Sequence, residues 1–153
     1  MSRRGNLALL VAAFLLAVLA GCASRIAPHD DTIAAGLAKL QASHARFFDQ
    51  LQQTAGTPGA AWEAHAAWYK ETRAEIATLR ARAASYGLKH DPTPRAIALL
   101  EQSVDELEQA HAEGLSPGEI PVLRTLFDSQ LRMLIQLEAA KKPKRNALTE
   151  VSS

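Results

Sequence analysis

Ile33, Leu37, Leu40, His44, Phe47 and Leu51 stand four, three, four, three and four residues apart. That alternation returns every side chain to one stripe of an α-helix and fits no β-strand, whose faces alternate every second residue. The same spacing recurs three times further on. It links Trp62, His65, Tyr69, Thr72, Ile76, Leu79, Ala83 and Tyr86, then Ile97, Leu100, Val104, Leu107 and His111, then Leu123 through Phe127, Leu131, Leu134 and Leu137. A chain with four such stripes must bury them against one another.

Punctuation between the stripes sets the elements. Asp30 or Asp31 offers the cap of a first helix running to about Thr54, and Gly56-Thr57-Pro58-Gly59 breaks the chain. The second stripe stops at Gly87, a residue suited to a helix end. Thr93-Pro94 reads as a cap followed by proline in the first turn, with the third helix ending at Gly114. Ser116-Pro117-Gly118-Glu119 has the form of a capping box, but Pro121 inside a helix would remove a backbone bond, which favours a regular start there. Short connections and one apolar stripe per segment predict an all-α fold, an up-down-up-down four-helix bundle over residues 30–142. A three-helix bundle with a loose arm is the alternative.

The first residues have a different character. Arg3 and Arg4 precede an unbroken apolar run from Leu7 to Ala20. Its fourteen residues fall short of the roughly 20 that a membrane-crossing helix needs, and the layout is that of an export signal. Leu19-Ala20-Gly21-Cys22 resembles the lipobox of bacterial lipoproteins. The resemblance covers only about the first 24 residues and implies that residues 1–21 are a cleaved signal peptide. Cys22 would then become the N-terminus and carry a thioether diacylglycerol and, in many such proteins, a third chain. Residues 22–29 would form the acylated N-terminus and linker, and no dissociable cofactor is expected. Ala23 stands where aspartate would direct retention in the inner membrane, so the resemblance implies the periplasmic face of the outer membrane in a host with two membranes. Ser2 to Leu7 also partly resembles a twin-arginine signal, but Asn6 replaces the preferred Phe, and the Sec route is the plainer one.

Composition then excludes several classes. Of seventeen basic residues, Arg3 and Arg4 leave with the signal, so fifteen face sixteen acidic ones and no basic excess remains to hold nucleic acid. Cys22 is the sole cysteine, so acylation leaves no thiol for a disulfide, a zinc site or covalent haem.

Two groups of residues carry candidate chemistry. His44, His65 and His111 sit on three different stripes, and Glu108 stands three residues before His111, the Glu-x-x-His spacing that di-iron bundles use. A metal- or haem-binding bundle built on these four residues is therefore one function to weigh. No second Glu-x-x-His occurs, however, and core-edge histidines bonded to a backbone carbonyl or a neighbouring Glu would explain the stripe positions. Phe47, Trp68, Tyr69 and Phe127 fall at nearly one depth and predict an aromatic layer, with Phe48 and Trp68 able to flank a groove. No phosphate loop, His-Glu-x-x-His or nucleophile motif is present, and no enzyme is expected.

The second group is basic. An even number of antiparallel helices brings both chain ends to one end of the bundle, so Lys141, Lys142, Lys144 and Arg145, with Lys89 and Arg95, would face lipid headgroups. Residues 143–153 continue as a basic and polar tail. Glu63, Glu113 and Glu119 fall at the opposite end. The expected function is that of a membrane-anchored envelope lipoprotein, a non-enzymatic binding or scaffolding module. Its expected partners are lipid, through the acyl anchor, and an envelope protein.

Overall fold

In the computed structural model the described residues are 26–89 and 91–143. Cys22, Lys144 and Arg145 lie outside them. The first helix, α1 (Asp31–Thr54), starts where Asp30 leaves the helical region and its Oδ1 accepts the amides of Thr32 at 2.8 Å and Ile33 at 3.1 Å. That is an N-cap satisfying two of the amides a helix start leaves unpaired. Beyond α1, Gly56 at φ 75° turns the chain into a single 3-10 turn, Pro58–Ala60. α2 (Trp62–Ser85) follows and ends through Tyr86 and Gly87 at φ 65°.

α3 (Pro92–Glu113) starts earlier than its sequence suggests. Its cap is Asp91, whose Oδ1 accepts the Thr93 amide at 3.0 Å, and the proline of the first turn is Pro92. Thr93, expected as the cap, is instead buried inside the first turn. α4 (Glu119–Ala140) begins at the capping-box glutamate, with Pro121 in the first turn. An amide there would have no intrahelical partner, so the proline removes no bond. The Glu119 carboxylate reaches back to the Ser116 amide at 2.8 Å, but the Ser116 hydroxyl donates to the same carboxylate instead of capping a backbone amide.

The four helices form an up-down-up-down bundle in which α1 packs most extensively on α4 and α2 on α3, with α1–α2 and α3–α4 closing the square. Leu37, Tyr69, Ile76, Ile97, Val104 and Leu131 are fully buried along the four stripes. Gly36 lets α1 pack tightly on α2: a β-carbon placed on it would stand 2.5 Å from Cδ2 of Leu79, itself buried. Gly36→Val should therefore push the pair apart and destabilise the bundle by about 1–3 kcal/mol, the usual cost of overpacking. Urea unfolding measures this, and a variant as stable as the parent would show that the α1–α2 contact has slack.

Candidate functional site

At the end of the bundle that holds the first and third connections, two imidazoles secure the chain between α1 and α2. His65 Nε2 donates to the carbonyl of Gly59 at 3.0 Å, and His111 Nε2 donates to that of Ala60 at 2.7 Å. A carbonyl oxygen can only accept, so His111 holds its proton on Nε2 and its Nδ1 accepts the Tyr69 hydroxyl at 2.9 Å. The two rings lie 5.5 Å apart. Burial pushes the Tyr69 hydroxyl well above its ordinary range, so it stays protonated as a donor.

The other candidates are drawn elsewhere. Glu108 accepts from Trp62 Nε1 at 3.0 Å and from Arg73, which also pairs with Asp105 at 2.7 Å. His44 donates from Nδ1 to the Leu40 carbonyl at 2.9 Å and lies between Phe127, stacked at 5.3 Å, and the edge of Trp68 at 5.0 Å. Thus His65 and His111 come together, while Glu108 and His44 hold other partners. Among the described residues no group of three or more His, Cys, Asp or Glu side chains is placed to hold a metal ion. The aromatic layer forms, with Phe47 stacked 3.7 Å from Trp68 and Tyr69 edge-on at 5.6 Å. Phe48 is fully buried and cannot line a groove; the open cleft of about 400 Å³ between α1 and α2 is lined by polar residues such as Lys39, Glu71 and Glu75.

Burial lowers the pKa of His44, against a smaller opposing effect of its bond to Leu40. Burial also lowers that of His65, with His111 adding to the shift. Both rings are held neutral in the fold, whereas the unfolded chain takes up their protons near pH 6.5. Their contribution is complete above that value and falls as pH drops through and below it. Thermal unfolding should therefore show a falling midpoint between pH 7 and pH 5, an acid loss that His44→Leu reduces.

The opposite end holds a feature that the stripes did not reveal. The Asp30 amide donates to Glu138 Oε1 at 2.6 Å, tying the start of α1 to the end of α4. Asp30 Oδ2 receives Arg82 Nε at 2.6 Å and the Tyr86 hydroxyl at 2.7 Å from the end of α2. His29 Nδ1 lies 2.9 Å from the Glu138 carbonyl. Lys141 Nζ stands 2.9 Å from Glu138 Oε2 and 3.8 Å from Asp91 Oδ1 at the start of α3. All four helices meet in this ionic clasp, and Asp30, Asp91 and Glu138 are buried in it. No family model matches the chain. No curated protein or solved structure matches it either.

The clasp corrects one expectation. Lys141 is not part of a surface patch, because its side chain is 4% exposed and its ammonium is turned inward to Glu138 and Asp91. A lysine at a helix end beside two buried carboxylates neutralises them in place of facing solvent. Lys142, Lys89 and Arg95 are exposed at the same end. Burial by itself raises the Asp30 carboxyl, but the hydrogen bonds from Arg82, Tyr86 and the Ile33 and Thr32 amides outweigh it and lower the pKa to about 2. The ordinary value of 3.8 holds in the unfolded chain, so this stabilisation is complete above about pH 4 and is lost as pH falls toward 2. An acid titration followed by circular dichroism should show this second loss below pH 4, absent in Asp30→Asn.

Proposed function

We propose that the protein is a lipid-anchored envelope protein, acylated on Cys22 and held at the periplasmic face of the outer membrane, where the bundle acts as a non-enzymatic scaffold. The observation that carries this is the polarity of the bundle. The chain enters at Ile26 and leaves after Lys141 at one end, with His29 against the Glu138 carbonyl, so an anchor on Cys22 would act on a clasped end of known position. That end exposes Lys89, Arg95 and Lys142 against the carboxylate of Asp31, while Glu63, Glu113 and Glu119 are exposed at the far end.

Basic residues beside an anionic leaflet contribute about 1 kcal/mol each and acidic ones are repelled, so this distribution favours an upright bundle. Anchoring confines the bundle to a thin layer and raises its effective concentration toward any partner at the same membrane. No helix of the described residues is long and apolar enough to cross a membrane. Metal or haem binding has weaker support, since both Nε2 atoms of the histidine pair are committed to carbonyls.

Cells fed labelled palmitate test the proposal. The label should appear on this chain and vanish in Cys22→Ser, and an unlabelled parent protein would contradict it.

A further inference from the structure

Four of the large apolar side chains most exposed on the bundle fall on one face of the α3–α4 pair. Val122, Leu126 and Met133 are 68%, 49% and 56% exposed and follow one another by four and seven residues, a stripe about 16 Å long on α4. Leu99 on α3 is 53% exposed. Gln130 donates to the Ser103 hydroxyl at 2.8 Å and so fixes the antiparallel register. One turn from that pair toward the clasp, Leu99 comes level with Met133 and Leu134. The ridge therefore runs parallel to the bundle axis, and uncharged Ser103, Gln130 and Ser129 occupy its middle. This is the outer face of α4, and every other apolar stripe of the bundle is buried.

We infer that this ridge is the docking surface for an amphipathic helix of a different envelope protein, apolar on one side and basic where it passes the far end of the bundle. A partner helix packs its own apolar side chains between such a row, ridges into grooves, and Val122, Leu126 and Met133 supply that row over about three turns. Charge selects the occupant. Glu106, Glu113 and Glu119 are exposed along or beyond the far half of the ridge, and Arg132, beside Met133, and Arg95 are exposed toward the clasp end.

The bilayer is a poor occupant, because a bundle lying on this face would press those carboxylates against an anionic leaflet. A second copy is also disfavoured. Two copies anchored in one leaflet run parallel, so a two-fold contact would set Glu106 against Glu106 and Arg95 against Arg95. A basic helix meets neither penalty. This choice between a second copy and another protein rests on the anchored reading above; the apolar ridge itself does not.

The test uses protein purified from cells, its mass read first, and placed in phosphatidylcholine nanodiscs when acylated. The probe is a dye-labelled helical peptide with leucines at helical spacing and lysine flanks, and the control is the same peptide with glutamate flanks. Anisotropy, corrected for empty nanodiscs, should show the lysine peptide binding and the glutamate peptide about tenfold weaker. Leu126→Glu and Met133→Glu, at exposed positions that leave the core intact, should each weaken the lysine peptide about tenfold. Equal binding of the two peptides, or indifference to both substitutions, would overturn the inference. Self-association in sedimentation that Leu126→Glu abolishes would overturn it in favour of a second copy. Unacylated protein that binds the peptide in this pattern removes the anchored premise and leaves the ridge; acylated protein that ignores the peptide does the reverse.

Discussion

Glu138→Ala should destabilise the bundle by about 3 kcal/mol, the largest effect expected of any substitution outside the apolar core. Glu138 is 1% exposed and accepts the Asp30 amide at 2.6 Å. Its other oxygen is the nearest partner of Lys141, whose remaining carboxylate, Asp91, stands 3.8 Å away. Removing the side chain leaves a buried amide without an acceptor and a buried ammonium with one distant counter-charge. Each of those is costly because water cannot reach the group to compensate. Glu138→Gln separates the two contributions, since it keeps an acceptor for Asp30 and removes the charge; it should cost roughly a third as much. Urea unfolding of the three proteins checks this. Equal stability of Glu138→Ala and the parent would mean that the clasp is an ornament of the surface and that Lys141 finds water.

Cys22→Ser should move the protein entirely from the membrane to the soluble fraction while the bundle remains folded. The described core is supplied by residues 33–134, all of which lie beyond the proposed anchor in sequence. Exposed Lys89, Arg95 and Lys142 contribute about 1 kcal/mol each at an anionic surface, reduced by salt, which is too little to retain the protein. Each acyl methylene contributes about 0.8 kcal/mol, so two chains outweigh these three charges several-fold. Fractionation of cell envelopes at two salt concentrations reads the outcome. Retention of Cys22→Ser at high salt would place the attachment elsewhere than on an acyl chain.

Much of the fold was legible because helix stripes are a local property. The 3-4 spacing placed Ile33 to Leu51 and Ile97 to His111 on buried faces, and short glycine-marked connections set the alternating direction of the helices. The start of α3 was misplaced by two residues because Asp91-Pro92 and Thr93-Pro94 offer the same signal twice. What distinguishes them is tertiary: Asp91 also faces Lys141 from the end of α4.

The clasp was illegible for a related reason. Asp30, Arg82, Tyr86, Asp91, Glu138 and Lys141 come from four separate helix ends, and no spacing in sequence announces that they converge. One local sign was available: Glu138 falls on the buried stripe, four residues after Leu134, where a carboxylate needs a partner. Lys141 was assigned to the headgroup-facing surface because an even number of helices returns the chain end there, and that topology does not tell which lysine of the run turns inward. The histidines were located correctly on their stripes, but His65 and His111 bond carbonyls of the α1–α2 connection and His44 the Leu40 carbonyl of its own helix, and which backbone acceptor each takes leaves no mark in a sequence.

Anchoring through Cys22 is the claim on which the orientation of the bundle, its scaffold role and its choice of partner all depend. The mass of the protein purified from cell membranes, intact and after proteolysis, tests it most directly. Residues 1–21 should be absent, and the N-terminal peptide should begin at Cys22 with the added mass of a diacylglycerol, alone or with a third chain. A peptide beginning at Met1 or Ser2 with an unmodified Cys22 thiol would contradict it.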